Sequence, residues 1–150
     1  MGHKCDSVFR TCQIQHNKGL EFGAIETKGN YDDSSDHLKD AFYKLPRALK
    51  DMLGDLIETK PELTGFLQSV GFIHSGLANT MLQVDRPTEY VNRVTRHKTI
   101  KIRHSIGNFG ATILPSMLSA WICAEMVNQV FFFSFLPRRL KKQGKKTFPG

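Results

Sequence analysis

The sequence predicts an all-α fold: a short helical stack with a poorly ordered N-terminal region and a basic C-terminal tail. Three observations predict it. Apolar residues from Ala48 to Leu82 recur at steps of three and four, the spacing of one helical face. Pro61, Gly71 and Pro87 punctuate that run where short helices would start or stop. A chain of 150 residues, 40% hydrophobic and 23% charged, is long enough to bury a core of its own.

The elements follow in order. Residues 1–36 scatter Phe9, Ile14, Leu20, Phe22 and Ile25 among Gly, Asn, Gln and Lys, and read as a loosely ordered region. GNYDDSSD (29–36) is turn-rich, and its Asp and Ser side chains suit a helix start. A short helix over 37–43 meets Pro46, which interrupts or restarts it. Ala48, Leu49, Met52, Leu53, Leu56 and Ile57 then form an apolar stripe, with Asp51, Asp55 and Glu58 opposite. Leu63, Phe66, Leu67 and Val70 form a second stripe, closed by Gly71. Phe72, Ile73, Leu77, Met81 and Leu82 form a third, ended by Asp85-Arg86-Pro87. Residues 88–99 connect, and a further helix from Ile100 would show Ile102, Ile106, Phe109 and Ile113 inward. The helical domain runs over 37–136 and the basic tail over 137–150.

The string KPELTGFLQSVGFIHSGLANTML (60–82) resembles the armadillo repeat of the armadillo/HEAT helical solenoids. Pro61 and Glu62, then Phe66 and Leu67, then Gly71, Phe72 and Ile73 stand where such repeats carry Pro-Glu, an apolar pair, and a Gly opening a second helix. The resemblance covers about 49–114 and departs in a longer second-to-third-helix link and in His104 where a tryptophan is often found. It implies a third helix around SIGNFG (105–110), where the family often carries an Asn that binds the backbone of an extended peptide. Asn108 stands at that position, and Asp55 in the upstream copy. Solenoids need about three repeats to bury a continuous core, so the flanks would have to complete this one.

Residues 117–136 (MLSAWICAEMVNQVFFFSFL) are mostly apolar and long enough to span a bilayer. Glu125 sits near their middle, at a cost of about 2.5–3.5 kcal/mol for insertion. Two readings stand: a buried lid on the helical stack, with Trp121, Ile122, Met126 and Val130 inward, or a membrane segment with a basic cytosolic flank. Charge is unevenly placed. Residues 1–92 carry ten Lys/Arg against thirteen Asp/Glu, whereas 93–104 carry five cations and no acid, and the tail carries six. A nucleic-acid role would rest on those two segments alone.

Chemistry is sparse. His3, Cys5, Cys12 and His16 include zinc-ligand types without zinc spacing, so no metal is expected. His74, His97 and His104 have no nucleophile or carboxylate pair at telling spacing. No P-loop, dinucleotide-binding glycine pattern or HExxH occurs, so neither an enzyme nor a cofactor is expected. Three cysteines, an odd count, point to a reducing, intracellular compartment, cytoplasmic or nuclear, with membrane association as the alternative. The functional expectation is a protein–protein interaction or scaffold module. Its groove would use Asn108, Arg103, His104 and Lys101 to hold an extended or acidic protein segment. Arg138, Arg139, Lys141 and Lys142 of the tail would meet an anionic membrane or nucleic acid. The alternatives are a small membrane-anchored protein and a basic nucleic-acid-binding protein.

Overall fold

The computed structural model describes residues 5–11, 19–28 and 36–135. It holds six strands and two long helices in the order β1 (Ser7–Arg10), β2 (Glu21–Lys28), α1 (Asp36–Thr59), β3 (Gln68–Ser75), β4 (Ala78–Thr88), β5 (Val91–Arg96), β6 (Ile100–Lys101) and α2 (Ile106–Phe135). A single 3-10 turn at Pro61–Leu63 links α1 to β3. The fold is therefore mixed α/β. The all-α class, the helical solenoid and the armadillo-repeat resemblance are overturned by the six-stranded sheet.

The sheet runs β1-β2-β3-β4-β5, with β6 pairing with the start of β4. β2 and β3 are parallel, Gly23 opposite Val70 and Ile25 opposite Phe72. Every other pairing is antiparallel. Parallel neighbours need a crossover connection, and α1 supplies it. Ala41, Leu45, Ala48, Leu49, Met52, Leu53 and Leu56 are its buried face, so the apolar stripe read from the sequence is real. The helix continues through Pro46 instead of stopping there. One missing backbone hydrogen bond is outweighed by apolar residues on both sides of it that share one face.

The second and third expected helices are β3 and β4. Their residues are enriched in β-branched and aromatic types, and both faces of the strands are covered. In β3, Ser69, Gly71 and Ile73 face α1, while Val70, Phe72 and His74 face α2. A strand apolar on both faces contains steps of three and four by default, and these mimic a helical stripe. Gly71 is not a helix end. A Cβ there would lie 2.5 Å from the Ala24 carbonyl oxygen and 3.3 Å from the Leu45 methyls, so glycine lets β2, β3 and α1 close on each other. Gly76, at φ 54°, makes the tight turn between β3 and β4. The basic stretch 93–104 is β5, β6 and their links, not a helix.

α2 covers the other face of the sheet. Its half-buried to buried positions are Thr112, Ile113, Ser116, Ser119, Cys123, Met126, Val127 and Val130, one stripe at helical spacing. Cys123 packs with Val70, Phe72 and Met81. Of the residues expected inward, Val130 is buried and Met126 half-buried, but Trp121 and Ile122 face out.

Gly71→Val is expected to lower unfolding stability by about 3 kcal/mol, because strand backbone cannot yield to a branched side chain. Gly54→Ala, where a Cβ meets nothing within 4 Å, is expected to raise it by about 0.5–1 kcal/mol. Urea unfolding of both variants checks the pair.

Candidate functional site

Two places concentrate chemistry. The first lies between α2 and the sheet. An apolar cavity of about 560 Å³ is lined from the sheet by Phe9, Ile25, Phe72, His74 and Asn79, and from α2 by residues between Ile113 and Asn128. Small side chains on α2, Ser116, Ala120 and Ala124, leave room among Ile113, Met117 and Val127. Asn79 is 6% exposed. Its Nδ2 donates to Ser116 Oγ at 3.3 Å, while its buried Oδ1 has no hydrogen-bond partner. The His74 ring stacks on Phe72, centroids 5.7 Å apart. Burial holds the His74 pKa below its ordinary value, which keeps the ring neutral at pH 7. Burial likewise pushes the Cys123 thiol up to about 11, so it is an inert thiol and not a nucleophile.

The second lies at the far end of the β2–α1–β3 unit. Glu26, near the C-terminal end of β2, is 2% exposed. Lys44 of α1 donates to its Oε1 at 2.7 Å, and Lys28 stands 3.2 Å from the same oxygen. Oε2 is buried without a partner. The Thr27 N–H donates to Asp6 Oδ2 at 2.6 Å, which brings a second carboxylate to this end of the sheet. The hydrogen bond from Lys44 to Glu26 raises the lysine's pKa. Burial first, and then the charge of Glu26, raises that of the neighbouring Cys5 thiol. Crevices at the carboxyl ends of parallel strands are where open α/β sheets place ligands. Among the described residues, no three His, Cys, Asp or Glu side chains converge to hold a metal ion.

The residues singled out from the sequence lie elsewhere. Lys101 is on β6, Arg103 and His104 are exposed on the link to α2, and Asn108 is exposed in its first turn. They adjoin one another in the chain but line no third-helix groove, because the segment before them is strand. Asn108 Nδ2 donates to Ser105 Oγ at 3.3 Å, and the Arg103 N–H donates to Thr112 Oγ1 at 3.0 Å. Arg138, Arg139, Lys141 and Lys142 lie outside the described residues, as do His3, Cys12 and His16 of the zinc candidates. Part of the basic stretch is already engaged: Arg93 pairs with Asp85, and the Arg96 guanidinium sits 3.9 Å from the Phe42 ring centroid.

Sequence reasoning passed over Glu26, Lys28, Lys44, Asn79 and Ser116. A usable signal was present in EFGAIETK, where Glu26 and Lys28 stand two apart, on one face of a strand. Lys44 joins them only through the crossover.

Compared with known proteins, the chain matches no family model, no curated protein and no solved structure.

His74 gives the cavity a pH dependence. A base whose pKa is lowered on folding contributes stability that is fully present above its unfolded value, near 6.5, and lost as pH falls through the folded one. Among the residues lining the cavity no charged side chain offsets this. Below pH 6.5 the wild type is expected to lose stability relative to His74→Gln as pH falls. Denaturant unfolding of both proteins across that range checks it.

Proposed function

We propose that this protein is a non-enzymatic membrane-surface binding module that lies on an anionic bilayer through the outer face of α2. The observation that carries the reading is the exposure of that face. Leu114, Met117, Leu118 and Trp121 are each 59–66% exposed, and Ile122 is 40% exposed. Leu114, Leu118, Trp121 and Ile122 follow helical spacing, so they form one stripe opposite the sheet-packed one. Contiguous apolar surface of this kind marks an interaction site.

The charges argue for a membrane over a second copy of the chain. Lys101, Arg103 and His104 precede α2, and six cations follow it in residues 137–150, while Glu125 is the one charged residue within it. Packing α2 against its own copy, in either direction, would bring basic flanks together. An anionic lipid surface meets both flanks favourably, at about 1 kcal/mol per cation near the surface. α2 is long and apolar enough to cross a bilayer. Crossing would strip its inner stripe from Val70, Phe72 and Met81, so lying in the interface keeps the sheet covered.

Trp121, the single tryptophan, reports directly on this contact. With phosphatidylserine-containing vesicles its emission is expected to shift to the blue and the protein to float with the lipid. Neutral vesicles or high salt should weaken both signals. Leu118→Glu should reduce binding about tenfold or more, the cost of one lost leucine contact. Alkaline carbonate should release the protein; retention would point to a spanning helix instead. A failure to float at low salt sinks the reading.

A second reading rests on Glu26. A buried carboxylate with an unpartnered oxygen, flanked by two lysines at the carboxyl end of a parallel strand pair, has the parts for chemistry on a phosphate ester. The ammonium groups would hold the phosphate, and the carboxylate would act as base or, with Asp6, as a cation ligand. Under this reading, magnesium-dependent cleavage of nucleic acid by the wild type should disappear in Glu26→Gln while the far-ultraviolet dichroism stays unchanged. Absence of cleavage in the wild type, or equal cleavage by the variant, removes it.

A further inference from the structure

The cavity under α2 is a separate place from the outer face of the helix, and its chemistry is more selective. The positions of α2 that line it run from Ile113 to Asn128, about four helical turns and roughly 22 Å of length. The cavity is therefore elongated, and its volume falls within the range of small-molecule sites. Among the described residues, no Lys, Arg, Asp or Glu lines it. A charged group drawn down into it would give up hydration with no opposite charge in the lining to replace it. Its polar lining residues are His74, Asn79, Ser116 and Asn128. Asn79 donates one Nδ2 hydrogen to Ser116, and its buried acceptor, Oδ1, has no partner. A buried acceptor without a donor is costly, and a ligand that supplies one recovers that cost.

The geometry points to a binding site for a neutral single-chain lipid-like alcohol, its hydroxyl donating to Asn79 Oδ1 beside His74 and its alkyl chain lying along Phe72, Cys123 and Val127. His74, neutral at pH 7, can serve the same hydroxyl as donor or acceptor. This inference does not depend on the membrane reading: the cavity lies on the sheet side of α2 and shares only Met117 with the exposed outer face.

Lauryl alcohol, its methyl ether and lauric acid are matched probes, titrated into the full chain by calorimetry at pH 8. The alcohol is expected to bind about tenfold more tightly than the ether, which has no donor, and more tightly than the ionised acid. Asn79→Leu should bring the alcohol down to the level of the ether and leave the ether unchanged. Ala120→Phe, which fills the cavity from α2, should abolish binding of both while vesicle binding persists. Three results overturn the inference: no binding of the alcohol, binding of the acid as tight as the alcohol, or alcohol binding that survives Ala120→Phe. The last would place the probe on the outer stripe. The ranking of the three probes on the wild type stands as a test even where a variant fails to fold.

Discussion

The parallel alignment of β2 with β3 is the constraint on which the rest of the structure depends. Two parallel neighbours cannot be joined by a turn, so the chain must return across the sheet, and α1 is that return. The approach is close because two glycines permit it. A Cβ on Gly23 would fall 2.0 Å from the Val70 carbonyl oxygen, and one on Gly71 would strike Ala24. With the backbones this near, α1 beds its leucines on Ala24, Gly71 and Leu82, and the Ser69 hydroxyl donates to the Leu49 carbonyl at 2.8 Å. The same crossover brings Lys44 to Glu26. The ion cluster is thus a product of the pairing, and it lies where the pairing ends.

Covering one face of the sheet leaves the other, and the two helices solve that problem differently. α1 is amphipathic, with a leucine-rich buried side and Tyr43, Lys50 and Asp51 on the wet side. α2 is apolar nearly all round, and its sheet side mixes small residues (Ser116, Ala120, Cys123, Ala124) with Ile113, Met126, Val127 and Val130. Where the small residues face the sheet they leave space, which is the cavity. Apolar residues on the outer side leave surface that water does not solvate well. One helix therefore generates both an apolar cleft against the sheet and an exposed apolar stripe, and charge at its flanks favours an anionic surface for the second.

Parts of this were legible in the residues and parts were not. The stripe from Ala48 to Leu56 was readable, because a one-sided helix shows a period of 3.6 that few other structures produce. The unusual length and hydropathy of residues 117–136 were also readable, although the helix begins earlier, at Ile106, and runs through Pro115. β3 and β4 were misread because strands buried on both faces lose the alternation that identifies a strand. Gly71 and the Gly76 turn carried the missing signal: one marks a close backbone approach, the other a hairpin. Once those strands became helices, Asn108 acquired a role in a groove that the fold does not contain.

The sequence by itself determined which segments are apolar, where positive charge collects, and that α1 would be one-sided. Those are local properties, set by the order of side chains along the chain. Only the tertiary structure decided that residues 68–88 pair as a hairpin, that β2 lies parallel to β3, and that Lys44 reaches Glu26 across 18 positions. It also decided which side of α2 meets the sheet and which stays exposed. Those outcomes turn on contacts between distant residues, and a helix apolar on every side carries no mark of which side will be covered.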